Sequence, residues 1–461
     1  MPAPSPIKIG LVSLGCAKNL VDSEVMLGAL AKEGMELTAD AQLADVVIVN
    51  TCGFIEASKQ ESINAILKAN ELRTTGKCKA LIMAGCLTQR YPKELRAELP
   101  EVDAIVGLNE VPKMAGIVRE ILAKEVVERA SRPLDHETNN GRDARSTNLY
   151  WSGPAKYVPD FSAPRVRLTP QHTAYVKIAE GCNHPCTFCS IPRIRGLHRS
   201  RSVADVLQEM RQLVAAGCRE LNLISQDTTF YGKDLNGGQE QLCELLRQAQ
   251  QIPGDFWIRL LYTHPAHWSD ELIATIAGND KVCRYVDMPL QHINDAMLKR
   301  MKRETSGQYI RELIARIRRG VPGIALRTTF IVGFPGETDE QFDELCEFIE
   351  RTEFERLGIF TYSQEDHTPA GNMDQQLPEK VKKARHKRAM LTQQQVSRAV
   401  QRRCVGQTLR VLVEKPGVAR SHADAPEIDG TVKVTGTAPV GEFATVRITG
   451  ASEYDLEATV L

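Results

Sequence analysis

Three cysteines within eight residues are the strongest chemical feature of this 461-residue sequence. The segment GCNHPCTFC places Cys182, Cys186 and Cys189 in a C-x3-C-x2-C arrangement. Iron–sulfur clusters are normally held by four cysteine thiolates, so three cysteines leave one iron open to bind another molecule. His184 lies inside the same segment, and a zinc site with three cysteines and one histidine is therefore the alternative. A predicted strand before the segment and a glycine-rich turn further along the chain favour iron.

A second set of three cysteines is dispersed through the N-terminal region. Cys16, Cys52 and Cys86 each follow an apolar run that is predicted to be a strand, in VSLGC, VIVNTC and LIMAGC. The carboxyl ends of parallel strands share one edge of a sheet, so these thiols are expected to converge there. The alternative is that they are small buried hydrophobic residues. The favoured interpretation is a second cluster site with an open iron, and the other six cysteines are predicted to be packing residues: Cys78, Cys218, Cys243, Cys283, Cys346 and Cys404.

The elements that must position these cysteines predict an α/β protein in three regions. Residues 7–124 alternate apolar strands with helices, which predicts a parallel-sheet domain. Residues 125–167 are polar and are predicted to be a linker. Residues 168–396 repeat a strand and a helix about six times, which predicts a partial (β/α)6 barrel with its site at the C-terminal strand ends. Residues 397–461 contain short alternating runs with glycine turns, which predicts a small antiparallel β-barrel.

Composition excludes several classes of protein. The sequence has 58 basic and 58 acidic residues, so no overall field favours nucleic acid or membrane. No segment resembles a secretory signal, and none approaches the ~20 uninterrupted apolar residues that cross a bilayer. Twelve cysteines in a chain of this length suit a reducing compartment better than a disulfide framework. A cytoplasmic location without a membrane partner is therefore expected.

The barrel region resembles the radical S-adenosylmethionine (SAM) enzymes in two motifs. These are the C-x3-C-x2-C segment, with Phe188 before its last cysteine, and the turn IVGFPGET. In that superfamily the open iron of the cluster chelates the amino and carboxylate groups of SAM. The resemblance implies that Phe188 lies in the cofactor site and that Gly333 and Pro335 lie against the adenine. It also implies that Gln226 and Asp227, after the second strand, contact the methionine group, although a helix cap explains Asp227 equally well.

The whole chain from residue 8 to residue 461 is similar to the methylthiotransferase family, which flanks that barrel with an N-terminal three-cysteine domain and a C-terminal TRAM domain. The resemblance implies two 4Fe-4S clusters, two molecules of SAM and a reductant protein. In the family one SAM methylates a sulfur on the N-terminal cluster, and a second yields the radical that activates a carbon for the methylthio group. The cluster ligands that it implies are Cys16, Cys52 and Cys86, then Cys182, Cys186 and Cys189.

Three further sequences indicate the branch of the family. The runs CTFCSIPRIRGLHRSR, LYTHP and MPLQHI resemble the branch that adds a methylthio group to the β-carbon of an aspartate in a small-subunit ribosomal protein. Residues 405–461 contain five basic and eight acidic residues, and a net charge of −3 suits a basic protein better than RNA. The alternatives are a transfer RNA adenosine methylthiotransferase and a non-catalytic iron–sulfur protein that binds the ribosome.

Other charged and polar residues are weaker candidates. Arg193, Arg195 and Arg199 follow the cysteine segment and are candidates for steadying a cluster or meeting an acidic substrate. Arg259, Gln291 and His292 are expected near the barrel mouth, either at substrate or in structural hydrogen bonds. A basic run is predicted either to contact ribosomal RNA or to be a solvated helix face: Lys382, Lys383, Arg385, Lys387, Arg388, Arg398, Arg402 and Arg403.

Overall fold

The computed structural model describes residues 5–130 and 148–461, which divide into two compact units. No helix in these two ranges is long and apolar enough to span a membrane. The first unit holds the chain up to Leu168 together with Glu180–Cys182 and Ser190–Arg199, and the second unit holds Thr169–Ala179, Asn183–Cys189 and Ser200–Leu461.

The first unit is built around a six-stranded sheet in which every neighbouring pair is parallel. Its central strands, VVIVNT and ALIMAG, are buried along their whole length, as expected for apolar runs covered on both faces. The strands, in the order β2-β1-β3-β4-β5-β6, are β1 (Lys8–Ser13), β2 (Glu36–Leu37), β3 (Val46–Thr51), β4 (Ala80–Gly85), β5 (Ala104–Val106) and β6 (Asn148–Tyr150).

Helices cover both faces of this sheet. The helix after β1 is buried over most of its length, and Gly28 allows this because a Cβ there would lie 2.1 Å from the Pro164 carbonyl oxygen. The helices of the first unit are α1 (Ala17–Lys32), α2 (Glu56–Asn70), α3 (Leu72–Thr75), α4 (Cys86–Arg90), α5 (Pro92–Glu98), α6 (Met114–Ala130) and α7 (Ile191–Arg195).

The segment predicted as a linker contributes to the first unit instead. Its residues 148–150 form the edge strand β6, which pairs in parallel with β5. Further along, Arg165 forms a salt bridge with the buried Glu24 of α1, and the Leu168 amide donates to the same carboxylate. These partners are distant in sequence, so the polar composition of the segment gave no sign of them; residues 131–147 lie outside the described ranges.

The second unit contains the partial barrel, whose six parallel strands agree with the predicted runs. They form two three-stranded sheets, and the strands are β7 (Thr173–Lys177), β10 (Glu220–Ile224), β11 (Trp257–Leu260), β12 (Tyr285–Asp287), β13 (Ala325–Val332) and β14 (Arg356–Thr361). Two short strands, β8 (Ala179–Glu180) and β9 (Arg199–Ser200), flank the cysteine segment. The helices of this unit are α8 (Val203–Ala215), α9 (Leu242–Gln250), α10 (Asp270–Ala277), α11 (Asp295–Arg300), α12 (Gly307–Gly320), α13 (Asp339–Thr352) and α14 (Glu379–Arg402).

The C-terminal region closes into a five-stranded barrel in the order β15-β16-β17-β19-β18. The α/β fold class and the small barrel are thus confirmed, with two differences in detail. The strand β16 was not predicted, and β17 and β19 pair in parallel although an antiparallel barrel was expected. The strands are β15 (Thr408–Lys415), β16 (Val418–Ser421), β17 (Val432–Thr435), β18 (Phe443–Ala451) and β19 (Leu456–Val460).

A buried charged network joins this small barrel to the N-terminal ends of the partial-barrel strands. The carboxylate of Glu220, the first residue of β10, accepts a hydrogen bond of 2.9 Å from Arg259 Nε on β11 and forms a salt bridge with Arg420 on β16. All three side chains are almost completely buried. Arg259 was expected near the barrel mouth, either at substrate or in structural hydrogen bonds. The structural alternative is confirmed by its pairing with Glu220 on the neighbouring strand, at the opposite end of the barrel from the mouth.

A second group of contacts extends this junction. Arg356, at the start of β14, donates to Asp424 through Nε at 2.9 Å. The Tyr285 hydroxyl, at the start of β12, donates to Asp429 Oδ2 at 2.6 Å. Each of these contacts involves a residue at the start of a barrel strand, so the small barrel is anchored at the N-terminal face of the partial barrel. The C-terminal strand ends, where barrel enzymes place their chemistry, carry none of these anchors.

Candidate cluster-binding sites

Cys16, Cys52 and Cys86 lie after β1, β3 and β4, at the carboxyl edge of the first sheet. Cys52 follows Thr51 directly, Cys86 begins α4, and Cys16 lies three residues beyond Ser13, slightly further than predicted. The loops approach closely, since a Cβ on Gly15 would lie 2.9 Å from the Cys52 Cβ atom. The three thiols are near enough to influence one another electrostatically. Their placement suits a shared ligand.

The environment of Cys86 disfavours a free thiolate. Burial raises the pKa of Cys86 to about 12, and Cys16 and Cys52 add to this, although the cationic Arg195 opposes it. The free protein therefore keeps this thiol protonated near neutral pH. A metal must displace that proton when the sulfur binds it, which couples metal binding to proton release.

Asn19 on α1 contacts all three loops and was missed by the sequence analysis. Its side-chain amide donates to the Leu14 carbonyl at 2.7 Å and to the Thr51 carbonyl at 3.1 Å, which fixes the loops before Cys16 and Cys52. Its Oδ1 atom lies 3.7 Å from the Cys86 sulfur. Asn19 is 1% exposed, and a fully buried amide with these partners is a positioning residue. A polar residue within the apolar pattern of α1 was the only available signal.

Arg195 extends from α7 to the N-terminal cysteines. Its Nη2 atom lies 3.2 Å from the Cys86 sulfur, and its Nη1 atom lies 2.8 Å from Glu180 and 3.0 Å from Asp22. The side chain is 2% exposed. The sequence placed Arg195 beside the C-x3-C-x2-C segment, and the structure adds that its charge faces the other cysteine set. A buried cation at this distance stabilises negative charge on the sulfur.

With a cluster bound at the first unit, Arg195→Met is expected to lower its reduction potential by roughly 100 mV, because one positive charge near the cluster is removed. Arg195→Lys keeps the charge and should restore most of the shift. The measurement is an EPR-monitored redox titration in a Cys182→Ala/Cys186→Ala/Cys189→Ala background, which leaves only the N-terminal set. Exposed Arg193→Met is the matched control, and an equal shift there would contradict the assignment.

The second cysteine set lies in the segment between β8 and α7. The Cys182 amide donates to the Gly196 carbonyl at 3.1 Å within the first unit. In the second unit the Cys189 amide donates to the Cys186 carbonyl at 3.2 Å, and Arg303 Nη1 lies 3.5 Å from the Cys186 sulfur. A guanidinium group beside this sulfur again suits an anionic cluster.

The orientation of His184 gives the zinc alternative no support. His184 directs Nε2 at Asp227, at 2.7 Å, and Nδ1 at Glu304, so both of its nitrogens face carboxylates. Among the described residues, the side chains that converge with His184 as a possible metal site are Asp227, His264 and His267, and not the cysteines. A zinc ion held by three cysteines and His184 would need those four groups to converge instead.

Phe188 and the IVGFPGET turn are brought together in the second unit. Phe188 packs edge-on against Phe334 at 6.5 Å between ring centroids. Gly333 has a φ of +74° and its amide donates to Glu337 Oε2 at 2.6 Å. A Cβ at Gly333 would lie 2.5 Å from Lys382 Cγ, so only glycine fits. The turn is well defined, and the adenine contact of Gly333 and the buried Pro335 stays a prediction.

The carboxylate of Asp227 is used by protein groups. Oδ1 accepts from the Thr229 amide at 3.0 Å and its hydroxyl at 2.6 Å, and Oδ2 lies 2.7 Å from His184 and 2.8 Å from His267. A carboxylate has about four acceptor positions, so these contacts occupy all of them. The cap interpretation of Asp227 therefore has direct support, and contact of Gln226 or Asp227 with SAM stays a prediction.

The remaining candidates at the barrel mouth are structural. His292 is fully buried, its Nε2 lies 3.1 Å from Glu337, and its Nδ1 accepts from the Asn294 amide at 3.0 Å. The Gln291 backbone pairs with β13 at a φ of +73°. Arg199 donates to the Lys156 carbonyl at 3.1 Å.

Five of the six cysteines predicted as packing residues are buried, and Cys404 is half-buried.

Comparison with known proteins agrees with this arrangement. Residues 8–107 match the uncharacterized protein family UPF0004, residues 176–349 match the radical SAM superfamily, and residues 405–461 match the TRAM domain. The ribosomal protein uS12 methylthiotransferase RimO of Opitutus terrae is 58% identical, over 98% of this chain and 96% of its own length. The RimO protein of Akkermansia muciniphila is 50% identical, over 98% of this chain and 100% of its own length.

Solved structures show a similar fold at low sequence identity. The radical SAM methyltransferase TsrM of Kitasatospora setae gives a TM-score of 0.53 at 14% identity, covering 90% of this chain and 77% of TsrM. The cobalamin-dependent radical SAM enzyme OxsB gives a TM-score of 0.51 at 14% identity, covering 83% of this chain and 56% of OxsB. These structures support the architecture alone.

Proposed function

The chain belongs to the RimO family of radical SAM methylthiotransferases, and from this we propose that it adds a methylthio group to the β-carbon of an aspartate in ribosomal protein uS12. The family also makes the chain an enzyme, with a 4Fe-4S cluster and SAM as its cofactors. The presence of two clusters, the use of two SAM molecules and the aspartate as target belong to the proposal.

The observation that carries the proposal is the pair of three-cysteine sets. Hydrogen bonds from Asn19 hold the loops of the first set, and Arg195 supplies a buried positive charge to it. Three thiolates at each site suit a cluster with one open iron. When bound, the two clusters and SAM would supply a carbon-centred radical and a methyl-bearing sulfur, and two open irons are needed because these are separate tasks.

This chain's own residues would bind, orient and shield those groups. Cys16, Cys52 and Cys86 would hold one cluster, and the segment from Cys182 to Cys189 would hold the other. Cys86 is buried and Cys52 half-buried, whereas Cys16 is exposed, so the first site is open to solvent on the Cys16 side. Phe188 of the second segment packs against an apolar cluster that contains Phe334 and Tyr362.

The small C-terminal barrel supports a protein substrate. Of its five basic residues, Arg420 is buried against Glu220, and Arg410 forms a salt bridge with Asp255. Several acidic residues of the barrel, including Glu427 and Glu457, are exposed. Arg410, Lys415, Lys433 and Arg447 are exposed as well, so the surface is mixed in charge, and the preference for a basic ribosomal protein over transfer RNA rests on the net charge of −3.

Contact with ribosomal RNA stays a prediction, and the structure narrows the residues available for it. Salt bridges within the second unit engage five of the eight basic residues in the run along α14: Lys382, Arg385, Arg388, Arg398 and Arg403. Lys383 and Lys387 are exposed on the same helix. These pairings suit a helix face that mainly makes contacts within the second unit. A reductant protein and a cytoplasmic location are also predictions.

The test is anaerobic reconstitution with iron and sulfide, followed by incubation with SAM, reductant and either uS12 or transfer RNA. Mass spectrometry should show one added methylthio group on a uS12 aspartate and none on the RNA. Modification of the RNA alone would place the chain in the other substrate branch. Absence of both products, with SAM uncleaved, would contradict the proposal.

A further inference from the structure

Three histidines and one aspartate converge at the C-terminal ends of the partial-barrel strands. His184 comes from the cysteine segment, Asp227 follows β10, and His264 and His267 follow β11. One ligand atom from each lies within 4.8 Å of those of the other three. The four residues are buried or half-buried, and the only role predicted for any of them so far is the SAM contact of Asp227.

The geometry centres on one oxygen of Asp227. His184 Nε2 lies 2.7 Å and His267 Nδ1 lies 2.8 Å from Asp227 Oδ2. Asp227 Oδ1 is fixed by the amide and hydroxyl groups of Thr229, so the orientation of the carboxylate is set independently. Both oxygens of this carboxylate are hydrogen-bond acceptors, and Oδ2, between the two histidines, is the atom that an ion would contact.

A second carboxylate stands behind His184. The Nδ1 atom of His184 contacts Glu304, so one imidazole ring lies between two carboxylates. Histidine that ligates a metal through one nitrogen commonly donates its other N–H to a carboxylate, which orients the ring and raises its basicity. An ion on the Asp227 side would be shared by His184 Nε2 and Asp227 Oδ2, while Glu304 orients the ring through Nδ1.

His264 completes the wall of the site. Its ring stacks on that of His184 at 3.7 Å between centroids and 17° between planes. The Ala266 amide donates to its Nδ1 atom at 3.3 Å, which fixes the orientation of the ring. His264 therefore lies beside the ligand atoms of His184, Asp227 and His267.

We propose that His184, Asp227 and His267 form a binding site for one divalent transition-metal ion of the zinc or iron(II) type, with His264 beside it. Two imidazoles and one carboxylate are a common ligand set for both ions. Ligand atoms around a tetrahedral zinc are about 3.3 Å apart, so separations of 2.7 and 2.8 Å need only small side-chain rotations. The site leaves coordination positions open for a further ligand.

The test uses the cluster-loaded full chain, equilibrated anaerobically with chelator-buffered zinc. Zinc and iron contents are measured together, and zinc-edge X-ray absorption reports the ligand atoms without interference from iron. The wild type should retain one zinc per chain, with a nitrogen and oxygen shell at about 2.0–2.1 Å. His267→Gln should weaken zinc binding by roughly 10–100-fold while the iron content is unchanged.

His386→Gln, on α14 and outside the group, is the matched control and should bind zinc as the wild type does. Asp227→Asn, which removes a proposed ligand at nearly the same size, provides a second variant if His267→Gln folds poorly and should show the same loss of zinc. Zinc retention equal in wild type and His267→Gln, or a sulfur shell at about 2.3 Å, would overturn the site. Wild-type chain that modifies uS12 yet binds no zinc would overturn this inference and leave the proposed function standing.

Discussion

Replacing Cys16, Cys52 or Cys86 with alanine is expected to stop methylthio transfer while SAM cleavage to 5′-deoxyadenosine continues. The three residues lie at the edge of the first sheet, whereas the radical SAM match covers residues 176–349. Loss of one ligand from a three-cysteine site should reduce transfer on the order of 100-fold or more. Chromatography of 5′-deoxyadenosine and mass spectrometry of uS12, from the same reaction, measure the two outcomes.

The reciprocal variants sharpen this expectation. Alanine at Cys182, Cys186 or Cys189 should abolish both products, because no other cysteine set is proposed to cleave SAM. Cys78→Ala is the matched control: it is buried before β4, at the opposite edge of the same sheet, and should retain both products and the full iron content. Retention of methylthio transfer in Cys16→Ala, or equal loss in Cys78→Ala, would remove the first set from the mechanism.

The elements that carry these cysteines were predictable because their signals are local. Apolar runs such as VVIVNT and ALIMAG identify buried parallel strands, and a cysteine directly after such a run must lie at the carboxyl edge. The edge strand β6 gave no such signal, since NLY is short and follows a polar stretch. The parallel β17–β19 pairing was also missed, because alternation predicts a strand without naming its neighbour.

The contacts that tune the candidate sites were beyond sequence reasoning for a different reason. Arg195 and Cys86 are 109 positions apart, and His184 and Asp227 are 43 apart. Nothing in either local pattern identifies the partner of a buried charge. Asn19 illustrates the same limit, because a single amide serves three loops that only the folded chain assembles.

Glu220→Gln is expected to destabilise the second unit by about 3–5 kcal/mol, the usual result of breaking a buried ion pair. The carboxylate lies between Arg259 and Arg420, and all three side chains are almost fully buried. Its loss leaves two guanidinium groups in a low-dielectric junction without their counter-charge. Urea unfolding at neutral pH, followed by circular dichroism, measures the change in the free energy of unfolding.

Two comparisons separate this cause from a general loss of contacts. Glu442→Gln removes the exposed partner of Arg219, in an ion pair that also joins the small barrel to the partial barrel, and should cost only about 0–1 kcal/mol. Adding Arg420→Met to Glu220→Gln should recover part of the lost stability, because one uncompensated charge is removed with it. Equal effects of the two glutamine variants would contradict the role given to the buried network.

Lowering the pH should weaken the same Glu220 network in the wild-type protein and reduce its free energy of unfolding. Burial alone would raise the pKa of Glu220, but Arg420 and Arg259 lower it from 4.5 to about 2. The unfolded chain therefore takes up this proton at higher pH than the folded chain does. The stabilisation is fully present above pH ~4.5 and is lost as the pH falls towards 2, with a total of about 3 kcal/mol. Glu220→Gln lacks this titration, so the stability difference between wild type and variant should narrow across that interval. A difference that stays constant from pH 6 to pH 3 would show that Glu220 does not stabilise the junction as an anion.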